Sequence, residues 1–182
     1  MHTALAVDVD SCPDHVWAVL TDVTRWPQWT GSIRDAVLVG GGAVTVGSVV
    51  RLRAPRLPER TWQVTECRRH GSASRRAFEL RGEGVGGRAV LRFRLTAGEP
   101  DPSRPGREPT TRLEVEHTRE GWVGGTIARL TARTVEGHLA TLADDLARHC
   151  ASRRAACGGA RPAQGAAAAV TDGGRDNERI PG

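Results

Sequence analysis

The sequence predicts an α+β domain: one curved antiparallel sheet of about seven strands wrapped around a long C-terminal helix, with two short helices after the first strand. Three observations carry that expectation. Short runs alternating apolar and polar residues recur along most of the chain, separated by Gly- and Pro-rich turns. Past Gly125 the apolar period changes from two to three and four. A sheet this large must bury one face, and the terminal helix is the one large apolar surface available to cover it.

Residues 3–9 place Leu5, Val7 and Val9 on one side, a half-buried first strand. Ser11 or Asp14 can cap the helix that follows over 14–20, with Pro13 suited to its first turn and Val16, Trp17, Val19 and Leu20 on its apolar side. A second short helical or turn segment spans 25–31. Strands are expected near 33–39, 47–54, 61–67, 75–80, 89–95 and 112–117. Gly40-Gly41-Gly42, Pro55 and Pro58, His70-Gly71 and the stretch from Gly82 to Gly87 mark the turns between them. The segment 98–109 carries four prolines and reads as a loop projecting from a hairpin. Ile127, Leu130, Leu139, Leu142 and Leu146 mark an amphipathic helix reaching about Arg153, long enough at 1.5 Å per residue to span roughly 40 Å. Residues 154–182 are Ala, Gly, Arg and Pro with almost no large apolar side chain, the composition of a disordered tail, so the domain is expected over 1–153.

The chain has 182 residues, 38% hydrophobic and 26% charged, and a formal net charge of +5. All 26 basic residues are Arg, and they alternate with acidic and apolar residues instead of forming the basic run or face that nucleic-acid binding needs. Cys12, Cys67, Cys150 and Cys157 show no metal-ligand spacing and are expected to stay reduced in a cytoplasmic protein. No apolar run has the ~20 residues of a membrane span, and the N-terminus lacks the pattern of a secretory signal. There is no GxSxG, Walker loop, HExxH or dinucleotide fingerprint. Neither a metal nor a cofactor is expected, and the partner expected is a small hydrophobic molecule bound by a monomer or homodimer, without nucleic acid.

Two stretches sharpen the fold expectation. Val16-Trp17-Ala18-Val19-Leu20-Thr21-Asp22, followed by Trp26-Pro27-Gln28-Trp29, resembles the "VWxxLxDxxxWPxW" signature of the START/Bet v 1-like (SRPBCC) superfamily. The run from Gly47 through Leu52, Pro55, Leu57, Pro58 and Trp62 to Glu66 is similar to the "GxxxxLRxPxLPxxxWxVTE" pattern of its polyketide cyclase/dehydrase-like members. The resemblance covers about residues 1–153 and implies the helix-grip fold, in which the gap between sheet and helix forms a cavity for an apolar ligand. Its motifs are structural and bring no universal catalytic residue with them.

Strand parity separates the two faces of the sheet. Val50, Leu52, Trp62, Val64, Phe78, Leu80, Leu91, Phe93, Leu95, Leu113 and Val115 mark the inner side, where a polar residue of the same parity is an exception. His117, Arg76 and Glu66 are such exceptions. His117 is the general acid/base candidate, since its side chain titrates near neutrality; a hydrogen-bonded histidine at a strand end is the structural alternative. Arg76 could anchor a ligand carboxylate or ketone oxygen, although a register slip of one residue would turn it outward. Glu66 fits a strand-end hydrogen bond as readily as a ligand contact, and His138, beside the apolar stripe of the long helix, could face the same cavity but reads first as a structural residue. Trp62, Phe78 and Phe93 point inward, Trp122 precedes the long helix, and the resemblance implies that Trp26 and Trp29 lie on the segment lidding the cavity. As core filler these indoles need no functional explanation, and the chain has no Tyr to serve as a phenolic proton donor.

Two functions compete, beside a third in which the arginines bind protein or RNA. One is cofactor-free cyclisation, aromatisation or dehydration of a polyketide-like chain, with His117 as base and Arg76 or an indole steadying an enolate. The other is non-catalytic carriage or sensing of a hydrophobic ligand. Convergence of His117, Arg76 and His138 on one neighbourhood favours the first; their separation favours the second.

Overall fold

In the computed structural model, which describes residues 2–69, 75–84, 87–98, 110–120 and 125–153, the expected order of elements is present. β1 (His2–Val9) leads to α1 (Pro13–Thr21), a 3-10 turn (Val23–Arg25) and α2 (Trp26–Trp29). Six strands follow: β2 (Asp35–Val39), β3 (Val49–Arg53), β4 (Arg60–Arg69), β5 (Arg75–Gly84), β6 (Gly87–Ala97) and β7 (Thr111–Glu120). The chain then enters α3 (Gly125–Ser152). All pairings are antiparallel in a seven-stranded sheet of order β1-β7-β6-β5-β4-β3-β2, so consecutive strands are neighbours and only β1 crosses to pair with β7. The expected tail 154–182, most of the loop 98–109, and Trp122 lie outside the described residues.

Three local expectations are corrected. α1 is capped by Cys12 in extended backbone with no side-chain hydrogen bond, and Asp14 serves elsewhere, accepting from Arg76; Pro13 does occupy the first turn. Cys12 is disulfide-bonded, whereas Cys67 and Cys150 form no disulfide. Gly82 lies inside β5 and not in a turn. It pairs with Trp62, and a Cβ there would stand 3.0 Å from the indole, so glycine lets the ring lie across the strand.

The core fills the space between the inner sheet face and the helices. Leu139, Leu142, Ala143, Leu146 and Cys150 of α3 are buried on one stripe, and burial pushes the Cys150 thiol up to about 12. α1 and α2 occupy one half of the inner face. Trp17 meets Phe78 edge-on at 6.4 Å between ring centroids, Trp26 meets Phe93 at 5.9 Å, and the two phenylalanines stack at 6.1 Å. The Trp26 indole N–H donates to the Leu20 carbonyl oxygen at 3.0 Å, satisfying its polar end. Asp145 ties α3 to the chain after α2: it accepts from the Thr30 hydroxyl at 2.9 Å and the Gly31 amide at 3.1 Å, and also pairs with Arg148.

The outer face is an Arg/Glu lattice, as the alternation of Arg92, Arg94, Glu114 and Glu116 predicts. At its centre Glu79 is only 3% exposed and accepts from Thr65 Oγ1 (2.7 Å), Arg81 Nε (2.9 Å) and Arg92 Nε (2.7 Å). Burial raises the pKa of this carboxyl, but those three hydrogen bonds and the Arg92 charge outweigh it and hold the group below the usual carboxylate range. Arg92 and Arg94 both extend to Glu116, at 3.6 and 2.8 Å.

Leu146→Ala removes a side chain that is 1% exposed where α3 meets the sheet. It should cost about 3 kcal/mol, read as a lowered midpoint of urea unfolding at unchanged slope.

Candidate functional site

Because α1 and α2 fill only one half of the inner face, the other half leaves a pocket beneath the middle of α3. Its volume is about 340 Å³, within the range of sites for small metabolites. Its apolar wall is Ile33, Leu52, Leu57, Leu91, Val135 and Leu139. Trp62 forms one side, and the polar side chains in the lining are Arg60, His117, Arg119 and His138.

His117 is 7% exposed, with Nδ1 buried and, among the described residues, without a hydrogen-bond partner. It pairs with Thr3 on β1 and Leu91 on β6, and the Thr3 hydroxyl is likewise buried and unpartnered. Burial first, then the charges of Arg60 and Arg119, push the His117 pKa from 6.5 down to about 4, so the ring is neutral at pH 7. Arg60 sits over the Trp62 ring, its guanidinium carbon 5.8 Å from the centroid. Its own pKa is lowered by burial and by Arg119. Two like charges held this close beside a neutral imidazole favour an electron-rich oxygen of a ligand at this end. Arg60 and Arg119 were passed over in the sequence, although the signal was there: Arg60 is two residues before Trp62, and Arg119 two beyond His117, each with inward parity.

His138 lines the pocket, with Nε2 hydrogen-bonded to the Pro55 carbonyl oxygen at 2.9 Å. This bond joins α3 to the β3–β4 connection that carries Leu57 and Pro58.

The other candidates fall elsewhere. Arg76 is inward and 5% exposed, but its partner is Asp14 on α1 at 2.7 Å. Through the β6 register it lies opposite Leu95, whereas His117 lies opposite Leu91, a separation of roughly 13 Å along the strands. Arg76 therefore belongs to the end filled by α1 and does not join His117. Phe78, Phe93 and Trp26 are fully buried in that same half and do not line the pocket. Trp29 faces a different cleft, its ring 6.0 Å from that of His149.

Glu66 corrects the parity argument. The β4–β5 register shifts between Val64 and Glu66, so Val64 lies opposite Leu80 whereas Glu66 lies opposite Glu79 of the outer face. The bulge contributes one extra residue, Thr65, whose hydroxyl also bonds Glu79. Every residue beyond it changes face, and Glu66 adds its charge to the outer surroundings of Arg92.

With this geometry established, comparison with known proteins places the chain. Residues 2–151 match the family described as polyketide cyclase/dehydrase and lipid transport, and the chain belongs to that family. No curated protein matches the sequence significantly. Among solved structures, the chain is similar to the Zhui aromatase/cyclase from Streptomyces sp. R1128, at a TM-score of 0.62 and 17% identity over 88% of this chain and 99% of that one. A START superfamily protein from Mycobacterium smegmatis matches at 0.55 and 15%, over 83% and 97%. A hypothetical protein from Helicobacter pylori matches at 0.64 and 12%, over 82% and 88%. At these identities the likeness is one of fold, and the fold is the helix grip. No described helix is long and apolar enough to cross a membrane.

A neutral buried His117 makes stability depend on acid. The unfolded chain takes up a proton below about pH 6.5, while the folded state resists until about pH 4. The contribution is therefore complete above 6.5 and lost as pH falls through that window, amounting to about 3 kcal/mol. Urea unfolding at pH 7 and pH 4 should show this loss in the wild type, reduced by about that amount in His117→Gln.

Proposed function

We propose that the chain binds a small apolar metabolite of polyketide or lipid type in the pocket between α3 and the sheet. The ligand body lies against Leu52, Leu91, Val135 and Leu139, and its carbonyl or acidic end faces Arg60, Arg119 and His117. One observation carries this reading: an apolar pocket whose polar groups gather at one place, including a buried imidazole nitrogen without a partner. Carriage or sensing is the function it supports best. Arg76 is remote from His117, and a base with a pKa near 4 has little driving force to remove a carbon-bound proton at pH 7.

Cofactor-free cyclisation or dehydration is the second reading, favoured by Arg60 and Arg119 beside His117. Two guanidinium groups could steady an enolate oxygen while the pocket folds a flexible chain. In that case His117→Ala should keep ligand affinity within a few-fold and lower turnover by about 10²–10⁴. A carrier has no turnover to lose.

The binding reading is tested by native mass spectrometry of freshly purified protein, together with titration of 1-anilinonaphthalene-8-sulfonate, a probe with an apolar body and an anionic end. A retained metabolite or saturable probe binding, abolished in a folded Leu91→Trp variant that fills the pocket, is the expected result. A chain that carries nothing, and whose probe binding survives Leu91→Trp, would overturn it.

A further inference from the structure

A second cleft, of about 240 Å³, lies where α1, α2 and the last turn of α3 meet, and it shares no lining residue with the first pocket. Four basic side chains from separate parts of the chain line it: His15 of α1, Arg25 before α2, and His149 and Arg153 at the end of α3. Arg25 donates through Nε to the side-chain oxygen of Gln28 at 3.3 Å. Among the described residues, neither Arg25 nor Arg153 has a carboxylate within ion-pair distance. The carboxylate in the lining, Asp22, accepts from the Thr24 hydroxyl at 2.9 Å.

Among the described residues, two buried nitrogens in this lining have no hydrogen-bond partner, Trp29 Nε1 and His15 Nε2. An indole N–H can only donate, so Trp29 lacks an acceptor and nothing else. The charge balance points the same way. The C-terminal end of α3 contributes about half a negative charge and Asp22 a full one, while Arg25 and Arg153 supply two full positive charges before either histidine is counted. His149 registers this field: burial first, then Arg153, His15 and Arg25, lower its pKa.

We propose that this cleft is a binding site for a small oxyanion of the phosphate class, free or as the head of a larger molecule, held by Arg25 and Arg153 and hydrogen-bonded by the Trp29 indole. A planar carboxylate offers two oxygens in one plane, whereas a tetrahedral anion presents oxygens toward donors arriving from several elements, as these do. The volume is below the ~300–1,000 Å³ of sites that enclose a drug-sized body, which suits an ion or a head group.

The test uses the full chain with inorganic phosphate as probe, followed in the indole N–H region of the ¹H–¹⁵N spectrum, with the Trp29 resonance assigned by its loss in Trp29→Phe. Phosphate should move that resonance downfield and saturably, and acetate at the same concentration should not. The double variant Arg25→Gln/Arg153→Gln, with a melting curve showing it folded, should weaken phosphate by about tenfold or more, while 1-anilinonaphthalene-8-sulfonate binding in the first pocket stays unchanged. Lys at both positions should recover part of the affinity. Phosphate that leaves the Trp29 resonance in place, binds the double variant as tightly, or is matched by acetate would overturn the proposal. None of these outcomes depends on what occupies the first pocket.

Discussion

The closure of α3 over the sheet is the contact on which the rest depends. One stripe of this helix has two duties. Toward its C-terminal end, Leu142, Leu146 and Cys150 are sealed in the core, and toward its middle Val135, His138 and Leu139 roof the pocket. Asp145 fixes the helix along its length by taking hydrogen bonds from Thr30 and Gly31, in the segment between α2 and β2. A helix held at that point and free to bury apolar residues on either side defines both a filled half and an open half. The tryptophans decide which half is filled: Trp17 and Trp26 reach Phe78 and Phe93, whereas Trp62 lines the pocket.

The two faces of the sheet obey different physics. Inside, apolar area drives assembly, and a polar group is tolerated only with a purpose or a partner, as Arg76 has in Asp14. Outside, a carboxylate as buried as Glu79 remains ionised because three donors surround it. Such a lattice derives its value from geometry more than from the count of its charges, since exposed ion pairs alone contribute little. On these strands the guanidinium groups of Arg92 and Arg94 are spent on glutamates one strand away.

Most of the fold was readable in the sequence because strand alternation and helical period are local, and the turns carried their own glycines and prolines. The inward positions of His117, Arg76 and Trp62 followed from parity alone. What parity could not supply was which half of the inner face α1 and α2 would fill, a tertiary fact that separates Arg76, Phe78 and Phe93 from His117. Nor could it survive an inserted residue, and Glu66 was lost at the bulge. Arg60 and Arg119 were visible by the same rule that found His117, but strands so full of arginine made two more of them look like surface. The cleft around Trp29 was hidden for a different reason: its walls come from three segments far apart in sequence, none with a motif.

The bond from His138 to Pro55 joins α3 to the β3–β4 connection beside the pocket. A backbone carbonyl only accepts, so the imidazole must carry hydrogen on Nε2. That donor ties the roof of the pocket to the connection whose Leu57 and Pro58 form part of its wall, so their spacing is set by a directed bond.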